Sequence, residues 1–341
     1  MGKGMSDIAP KVRRGVWSKL GLALLVAVLI VLPLSGLLGR YALYVMTLVA
    51  IYGCVVTGLT LFMGYTGQLS IGHATFYGIG GYMAANLTKV GTPFPLALLL
   101  AALASGACGY IVGYVALRLR GFYLAATTLA VGLIAYQVFK NFEGFTGGVS
   151  GLGKIPAPTI GPINIAMPAA YFYFCAAMLV LIMLASAALV RSPAGRAMRA
   201  ISTNELAAQS VGINTYWVKI HVFALSALYA GIAGGLYAHL IRYITPDDFS
   251  FVYSVLFLTM AIVGGLGHVF GGLIGAVVAT LAAEELRAFP QFQPILFGGV
   301  LILIVMFMPY GLAGAIERLH GYTRGGTARL RDKLVGKAGS A

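Results

Sequence analysis

The sequence predicts an all-α polytopic membrane protein with about ten transmembrane helices. Of its 341 residues, 60% are hydrophobic and only 9% are charged, and the mean hydropathy is +0.91. Apolar runs long enough to cross a bilayer recur along the chain. Lysine and arginine lie in the tails and in short segments between these runs. We therefore attribute the net charge of +14 to membrane orientation and not to nucleic-acid binding.

Ten apolar runs are the predicted spans. In chain order they cover 20–38, 41–63, 73–89, 95–117, 122–139, 169–190, 220–240, 251–265, 268–286 and 294–308. Residues 1–19 are a predicted cytoplasmic tail, 20–312 the membrane domain and 313–341 a basic cytoplasmic tail. The first run is predicted to be a retained span, because no small-residue cleavage site follows it. The three cysteines, Cys54, Cys108 and Cys175, fall inside apolar runs, which argues against disulfides and against a metal site.

The third run decides the orientation, because it is short and contains Gly78, Gly80 and Gly81. With ten spans and the N-terminus inside, 17 of the 23 Lys and Arg residues lie inside and 6 lie outside. Without the third span every later segment changes side, and the numbers become 10 inside and 13 outside. The excess of basic residues on cytoplasmic loops therefore predicts a true crossing and two cytoplasmic termini.

The longest cytoplasmic connection, 191–219, is polar and predicts two short helices. Ser192-Pro193 predicts the start of the first helix. Ser202-Thr203-Asn204-Glu205 predicts a capping box that opens the second helix over 206–211, and Gly212 closes it. Two capped helices on one face of a membrane protein predict a docking site for a partner.

Two arginines of the first helix, Arg196 and Arg199, have several possible roles. They can pair with acidic groups of a partner, pair with anionic headgroups, or serve only as orientation charges. The longest outside connection, 140–168, is rich in Gly and Pro and is expected to lack regular structure. It is either a linker or a folded cap over an extracytoplasmic opening.

Ionisable residues are rare within the predicted spans, and the segment 64–81 differs from its apolar surroundings by its mixture of glycine with polar residues. It places Gln68, Ser70 and His73 among glycines. Non-helical backbone at membrane depth must be buried in protein or line a wet cavity, and broken helices of this kind form substrate sites in transporters. A plain cytoplasmic turn is the alternative. Thr127 and Thr128 of the fifth span are further candidates for a pathway, although such hydroxyls often bond their own helix.

The span interiors contain no Asp, Lys or Arg, and Glu284 and Glu285 lie near a span end. Proton- and ion-coupled carriers usually place acidic groups within the bundle, so this composition argues against them. A hydrolase would need a nucleophile with a base, or a metal-binding HExxH motif, and the sequence suggests neither.

Several segments resemble the permease subunits, of the M type, of branched-chain amino acid ABC importers. The similarity covers roughly 41–312. Its segments are GYTGQLSIGHA at 64–74, TGGVSGL at 146–152, RAMRAI at 196–201, NELAAQSVGIN at 204–214, and the glycine-rich run from GGLG at 264–267 to Gly275-Ala276.

The resemblance implies a defined set of partners in a bacterial inner membrane. Such a subunit pairs with a homologous permease. Two cytoplasmic ATPase subunits dock below it, and a periplasmic binding protein delivers substrate from above. ATP is then bound by the partner ATPases. The absence of a GxxxxGK[ST] phosphate loop from this sequence agrees with a subunit that has no nucleotide site or cofactor of its own.

The resemblance also implies roles for particular residues. The 191–219 connection would be a coupling-helix loop that contacts the ATPase, through Arg196, Arg199, Asn204, Glu205, Ala207, Ala208 and Gly212. The acid that usually precedes the paired alanines is replaced by Leu206, with Glu205 one residue earlier. Glu205 is therefore either a capping or a contact residue. The outer motif, Thr146, Gly147, Gly148 and Gly151, would face the binding protein. We hypothesise that Gln68, Ser70, His73, Thr127 and Thr128 line the translocation path.

The cargo remains open between branched-chain or other hydrophobic amino acids and, on the same machinery, urea, amides or aromatic acids. An ATP-independent carrier or channel is a third hypothesis, against which the absence of acidic groups in the spans argues.

Overall fold

The computed structural model describes residues 39–285 except 120, 162 and 269, together with residues 298, 299 and 312. The predicted spans at 20–38 and 294–308 lie outside the described residues, apart from residues 298 and 299. The two predicted tails also lie outside them.

The described chain is mostly helical. Its helices are α1 (Arg40–Thr66), α2 (His73–Lys89), α3 (Phe94–Ala116), α4 (Phe122–Asn141), α5 (Glu143–Thr146), α6 (Pro168–Arg191), α7 (Pro193–Thr203), α8 (Glu205–Ser210), α9 (Thr215–Ile241), α10 (Phe251–Gly264) and α11 (Gly271–Glu285). Two 3₁₀ turns, Gly148–Ser150 and Pro246–Phe249, lie in connections. A two-residue antiparallel hairpin, β1 (Thr159–Ile160) with β2 (Ile163–Asn164), pairs residue 159 with residue 164.

Within the described residues, each predicted span from 41–63 to 268–286 overlaps a helix. Among the described residues, six segments are long and apolar enough to cross a membrane: Arg40–Thr66, Phe94–Ala116, Phe122–Asn141, Pro168–Arg191, Thr215–Ile241 and Pro246–Gly264. Helices α2 and α11, of 17 and 15 residues, are shorter. The helical, multi-pass architecture is confirmed, whereas the number of ten crossings stays a prediction.

Helices α1 and α9 form the centre of the bundle. Within an 18-residue apolar stretch of each helix, 89% of α1 and 78% of α9 are buried inside the protein, but only 22% of α4 is. Helix α9 packs against α1, α2 and α3. The contact with α2 is very close, since a Cβ on Gly234 would lie 1.8 Å from the Tyr77 carbonyl oxygen. Small residues at such crossings allow backbones to approach each other.

The connection between α4 and α6 is folded, so the expectation that it lacks regular structure is wrong. It contains α5, a 3₁₀ turn and the hairpin. Leu152 pairs with Ile244, just beyond the end of α9, through backbone hydrogen bonds of 2.8 and 3.1 Å. Glycines with positive φ form its turns, and the Leu152–Ile244 pair fastens the connection to the end of the bundle.

Candidate functional site

The chain between α1 and α2 turns back into the bundle. Helix α1 ends at Thr66, and a Cβ on Gly67 would lie 3.5 Å from the Ser202 Cα at the end of α7. Helix α2 begins at His73, beside Ser226 of α9. Ser226 lies eleven residues into α9, about 16 Å along its axis. The non-helical 67–72 segment thus rises from the α8 end of the bundle toward its middle, as in a broken helix and unlike a plain turn.

Hydroxyl groups of neighbouring helices satisfy the backbone of this break. Thr128 of α4 accepts a hydrogen bond from the Ile71 N–H at 3.1 Å. Ser254 of α10 accepts one from the Ala74 N–H, also at 3.1 Å, and so caps α2 from another helix. Backbone polar groups away from water need such partners, because an unpaired buried group costs roughly 1–3 kcal/mol.

His73 links the break to α9. Its Nδ1 lies 3.1 Å from the Ser70 Oγ, and its Nε2 lies 2.8 Å from the Ser226 Oγ. The rings of Phe76 and Phe223 lie edge-on to the imidazole, with centroids 5.9 and 5.8 Å away. Both ring nitrogens are therefore hydrogen-bonded inside an apolar enclosure.

The structure brings together three of the five residues predicted to line a path. Ser70, His73 and Thr128 meet Ser226 and Ser254, and we call these five residues the His73 cluster. All five side chains are buried. Gln68 and Thr127 lie apart from it. The Gln68 amide donates to the Thr66 carbonyl, and the Thr127 hydroxyl donates to the Tyr123 carbonyl of its own helix.

Sequence reasoning missed Ser226 and Ser254. Each is a single serine in an apolar helix, a pattern that usually indicates a hydroxyl bonded to its own backbone. A weak signal for Ser226 was available, since it lies close to the glycine-rich stretch of α9. A Cβ on Gly58 of α1 would lie 3.1 Å from the Ser226 Cα, so Ser226 occupies a tight crossing of the two central helices.

The two predicted helices of the 191–219 connection are present, but the second one begins differently. Ser192 caps α7, accepting from the Gly195 N–H at 3.4 Å. The predicted capping box is wrong, because Ser202 and Thr203 belong to the last turn of α7 and donate to the Arg199 carbonyl. Asn204 instead caps α8, accepting from the Ala207 N–H at 3.1 Å.

Gly212 closes α8 as predicted. It has a φ of +84°, in the left-handed region that favours glycine. The Gly212 N–H donates to the Gln209 carbonyl, and the Ile213 N–H donates to the Ala208 carbonyl. These two bonds form a Schellman motif, which satisfies carbonyls left free at the end of a helix.

Helix α8 exposes apolar side chains. Leu206 is 66% exposed and Val211, just after the helix, is 74% exposed, with Ala207 exposed beside them. Ala208 is only 3% exposed and faces the protein interior. It therefore cannot belong to a contact surface in this conformation, unlike its neighbour Ala207.

Charged residues fasten this element to the bundle. The Glu205 Oε1 lies 2.7 Å from the Lys219 Nζ on α9, and the Lys219 side chain is 2% exposed. Glu205 thus forms an ion pair within the chain, whereas the sequence suggested that it is either a capping residue or a contact residue for the ATPase. Arg199 donates to the Val190 carbonyl at the end of α6, at 2.9 Å, whereas Arg196 is exposed.

At the opposite end, the outer motif makes mainly internal contacts. Thr146 is buried, and its hydroxyl bonds the Phe139 carbonyl at 2.6 Å. Gly147, Gly148 and Gly151 all have positive φ, and a Cβ on Gly151 would lie 2.6 Å from the Ile244 carbonyl oxygen. These residues shape the loop, while Val149, at 73% exposure, and Ser150 lie at its surface.

A bundle of apolar helices with a hydrogen-bonded break in its middle defines a multi-pass helical membrane protein of the transporter type. Residues 41–308 match a family model described as "Branched-chain amino acid transport system / permease component". The chain belongs to this family of permeases.

Curated relatives agree with this family. The chain is 31% identical to the high-affinity branched-chain amino acid transport system permease protein LivM of Salmonella typhimurium, over 87% of this chain and 75% of that protein. It is 31% identical to LivM of Escherichia coli K12, over 81% and 71% of the two chains. It is 24% identical to LivH of the same organism, over 80% and 94%. No solved structure matches the chain.

Proposed function

We propose that this chain is the membrane-spanning permease subunit of an ATP-binding-cassette importer. With a homologous permease it forms the translocation path for branched-chain or other hydrophobic amino acids. ATPase subunits on the cytoplasmic side bind ATP and drive transport, and a periplasmic binding protein delivers the substrate. The chain lies in a bacterial inner membrane with both termini in the cytoplasm, and it needs no cofactor or nucleotide site of its own.

The observation that carries this proposal is that a chain of this family has a well-defined α7–α8 element with exposed apolar side chains. It is capped at both helix starts and closed by a Schellman motif, so its shape is defined without a partner. It still exposes Leu206 and Val211. A short helix with an apolar face is suited to lie in a groove of another protein. We assign that groove to the ATPase, and the exposed Arg196 to acidic groups at its rim.

The path is proposed to pass the break between α1 and α2. The His73 cluster is buried, so the structure corresponds to a closed arrangement of this region. Helix α4, which contributes Thr128, is the least buried of the six apolar spans. A displacement of α4 would open the cluster at low cost in packing, with Gln68 and Thr127 at the edges of the opening.

Purification of the whole assembly in lipid nanodiscs tests the proposal. ATP hydrolysis is measured with binding proteins loaded with leucine, phenylalanine, urea or an aromatic acid. Stimulation by the leucine-loaded or phenylalanine-loaded protein is expected. Stimulation by urea or aromatic acids alone would reassign the cargo. No stimulation by any loaded protein, or gradient-driven uptake without ATPase subunits, would contradict the importer.

The coupling surface has its own test. Leu206→Glu places a charge on the exposed face of α8 and is expected to reduce ATPase co-purification at least tenfold, because a buried unpaired charge destabilises an interface strongly. Val90→Glu is the matched control, since Val90 is 86% exposed just after α2, at the opposite end of the bundle. Equal co-purification of the two variants would exclude α8 as the docking helix.

A further inference from the structure

The connection from α8 to α9 has two components. The covalent link is a short turn, 211–214, that contains Gly212 at a φ of +84°. The second link is the Glu205–Lys219 ion pair, which Thr215 and Gln209 extend, since Gln209 donates to Thr215 at 2.9 Å and Thr215 donates to Glu205 at 3.4 Å. A turn alone would let α8 rotate relative to α9, whereas an ion pair to the buried Lys219 ammonium holds the two helices in one orientation.

Lys219 also lies in line with the His73 cluster. Lys219 and Ser226 are seven residues apart on α9, which places them on the same face about 10 Å from each other along the axis. Ser226 bonds the His73 Nε2, and His73 bonds Ser70 in the 67–72 segment. One face of a single buried helix therefore contacts α8 at its start and the break near its middle.

We propose that Lys219 is a positioning residue that couples α8 to α9, so that a displacement of α8 is passed through α9 to the 67–72 segment. The proposal deepens the proposed function and rests on it. Lys219 touches neither substrate nor ATPase. Its buried ammonium gives α9 a directional contact with α8, and an apolar side chain of similar size would supply packing without that contact.

Four variants of the complete transporter test this joint: Glu205→Gln, Lys219→Met, the neutral double variant Glu205→Gln/Lys219→Met, and the reversed pair Glu205→Lys/Lys219→Glu. Uptake per ATP hydrolysed is measured in proteoliposomes with the loaded binding protein. The unfolding midpoint of each variant is measured alongside. Lys89→Met, which removes an exposed lysine at the opposite end of the bundle, is the control.

The single variants are expected to lower the unfolding midpoint, because each leaves a charge or a polar group of the pair unmatched. The neutral double variant is expected to recover the midpoint but to keep an uptake-to-hydrolysis ratio at least fivefold below wild type. The reversed pair is expected to recover much of that ratio. This pattern separates coupling from stability, since a purely structural ion pair would give the neutral double variant a normal ratio.

Two results would overturn the inference. One is a normal ratio in the neutral double variant. The other is a loss that the reversed pair does not relieve although it folds and assembles, which would point to the close approach of Ser202 to Gly67 as the route. Failure of the proposed function is recognised separately, because the wild-type assembly would then show no hydrolysis stimulated by a loaded binding protein.

Discussion

Two adjacent threonines of α4 differ in the hydrogen-bond partners of their hydroxyl groups. Thr128 accepts a hydrogen bond from the Ile71 N–H in the break, whereas Thr127 bonds only a carbonyl of its own helix. Thr128→Val keeps the shape but leaves the part-buried Ile71 N–H unpaired, so we expect a loss of about 1–3 kcal/mol in unfolding free energy. Thr127→Val is the matched control, with an expected change within about 0.5 kcal/mol.

Thermal or denaturant unfolding of the purified protein in detergent measures both variants. Equal destabilisation would mean that Thr128 does not support the break. Uptake activity of the Thr128→Val variant is a second measurement. If Thr128 lines the path, its valine variant should also reduce uptake more than its stability loss explains, while complex assembly is retained.

The sequence predicted that hydroxyl and imidazole groups would lie at the break between α1 and α2, but it did not predict which residues would supply all of them. Ser70, His73 and Thr128 stand out as polar residues in apolar surroundings, and they do converge. Gln68 and Thr127 look equally suitable in sequence, but local backbone carbonyls satisfy them first. The roles of Ser226 and Ser254 can be recognised only in the folded structure, where α9 and α10 meet the start of α2.

The start of α8 shows how capping acts at the scale of an element. Asn204→Ala removes the cap of the Ala207 N–H and is expected to destabilise α8 by about 0.5–2 kcal/mol. Amide hydrogen exchange in α8 should then accelerate, by roughly fivefold for each 1 kcal/mol. Ser202→Ala is the control, because the Ser202 hydroxyl donates to a carbonyl of α7. Faster exchange in the Ser202 variant alone would restore the predicted capping box.

The sequence could predict that two helices form in the 191–219 connection, but not their exact junction. Ser202, Thr203 and Asn204 are all good capping residues, and a choice among them depends on where α7 stops. Helix α7 continues to Thr203 because its C-terminal turn bonds back to Arg199. The burial of Ala208 has the same kind of cause, since only the packing of α8 on the rest of the protein distinguishes it from the exposed Ala207.

The crossing of α2 and α9 gives a second prediction at this scale. Gly234→Ala would place a Cβ 1.8 Å from the Tyr77 carbonyl oxygen, and the backbones must separate to admit it. We expect the free energy of unfolding to fall by about 1–3 kcal/mol. Gly132→Ala on α4, where the nearest atom would be 3.8 Å away, should be neutral or stabilising. Unfolding midpoints compare the two variants, and equal midpoints would contradict the close crossing.

At the scale of the whole molecule, charge predicted a crossing at 73–89 that hydropathy alone left doubtful. Helix α2 has only 17 residues, about 25 Å, and it starts beside the middle of α9. We expect the non-helical 67–72 segment to supply the remaining distance of the predicted crossing. At 17 residues, α2 is too short for hydropathy to identify it as a span, whereas the distribution of Lys and Arg depends only on which side each loop occupies, and the crossing stays a prediction.

The orientation of the molecule leads to the last prediction. Val149 and Val211 are both exposed, and they lie beyond opposite ends of α9, which is about 40 Å long. In a background without Cys54, Cys108 and Cys175, Val149→Cys should react with a membrane-impermeant maleimide once the outer membrane is permeabilised. Val211→Cys should react only after the inner membrane is opened, because the distribution of basic residues predicts a cytoplasmic location for its loop. The reverse pattern would invert the topology and remove α8 from the side of the ATPases. Labelling of both in sealed cells would mean that the bundle does not separate these two surfaces across the membrane.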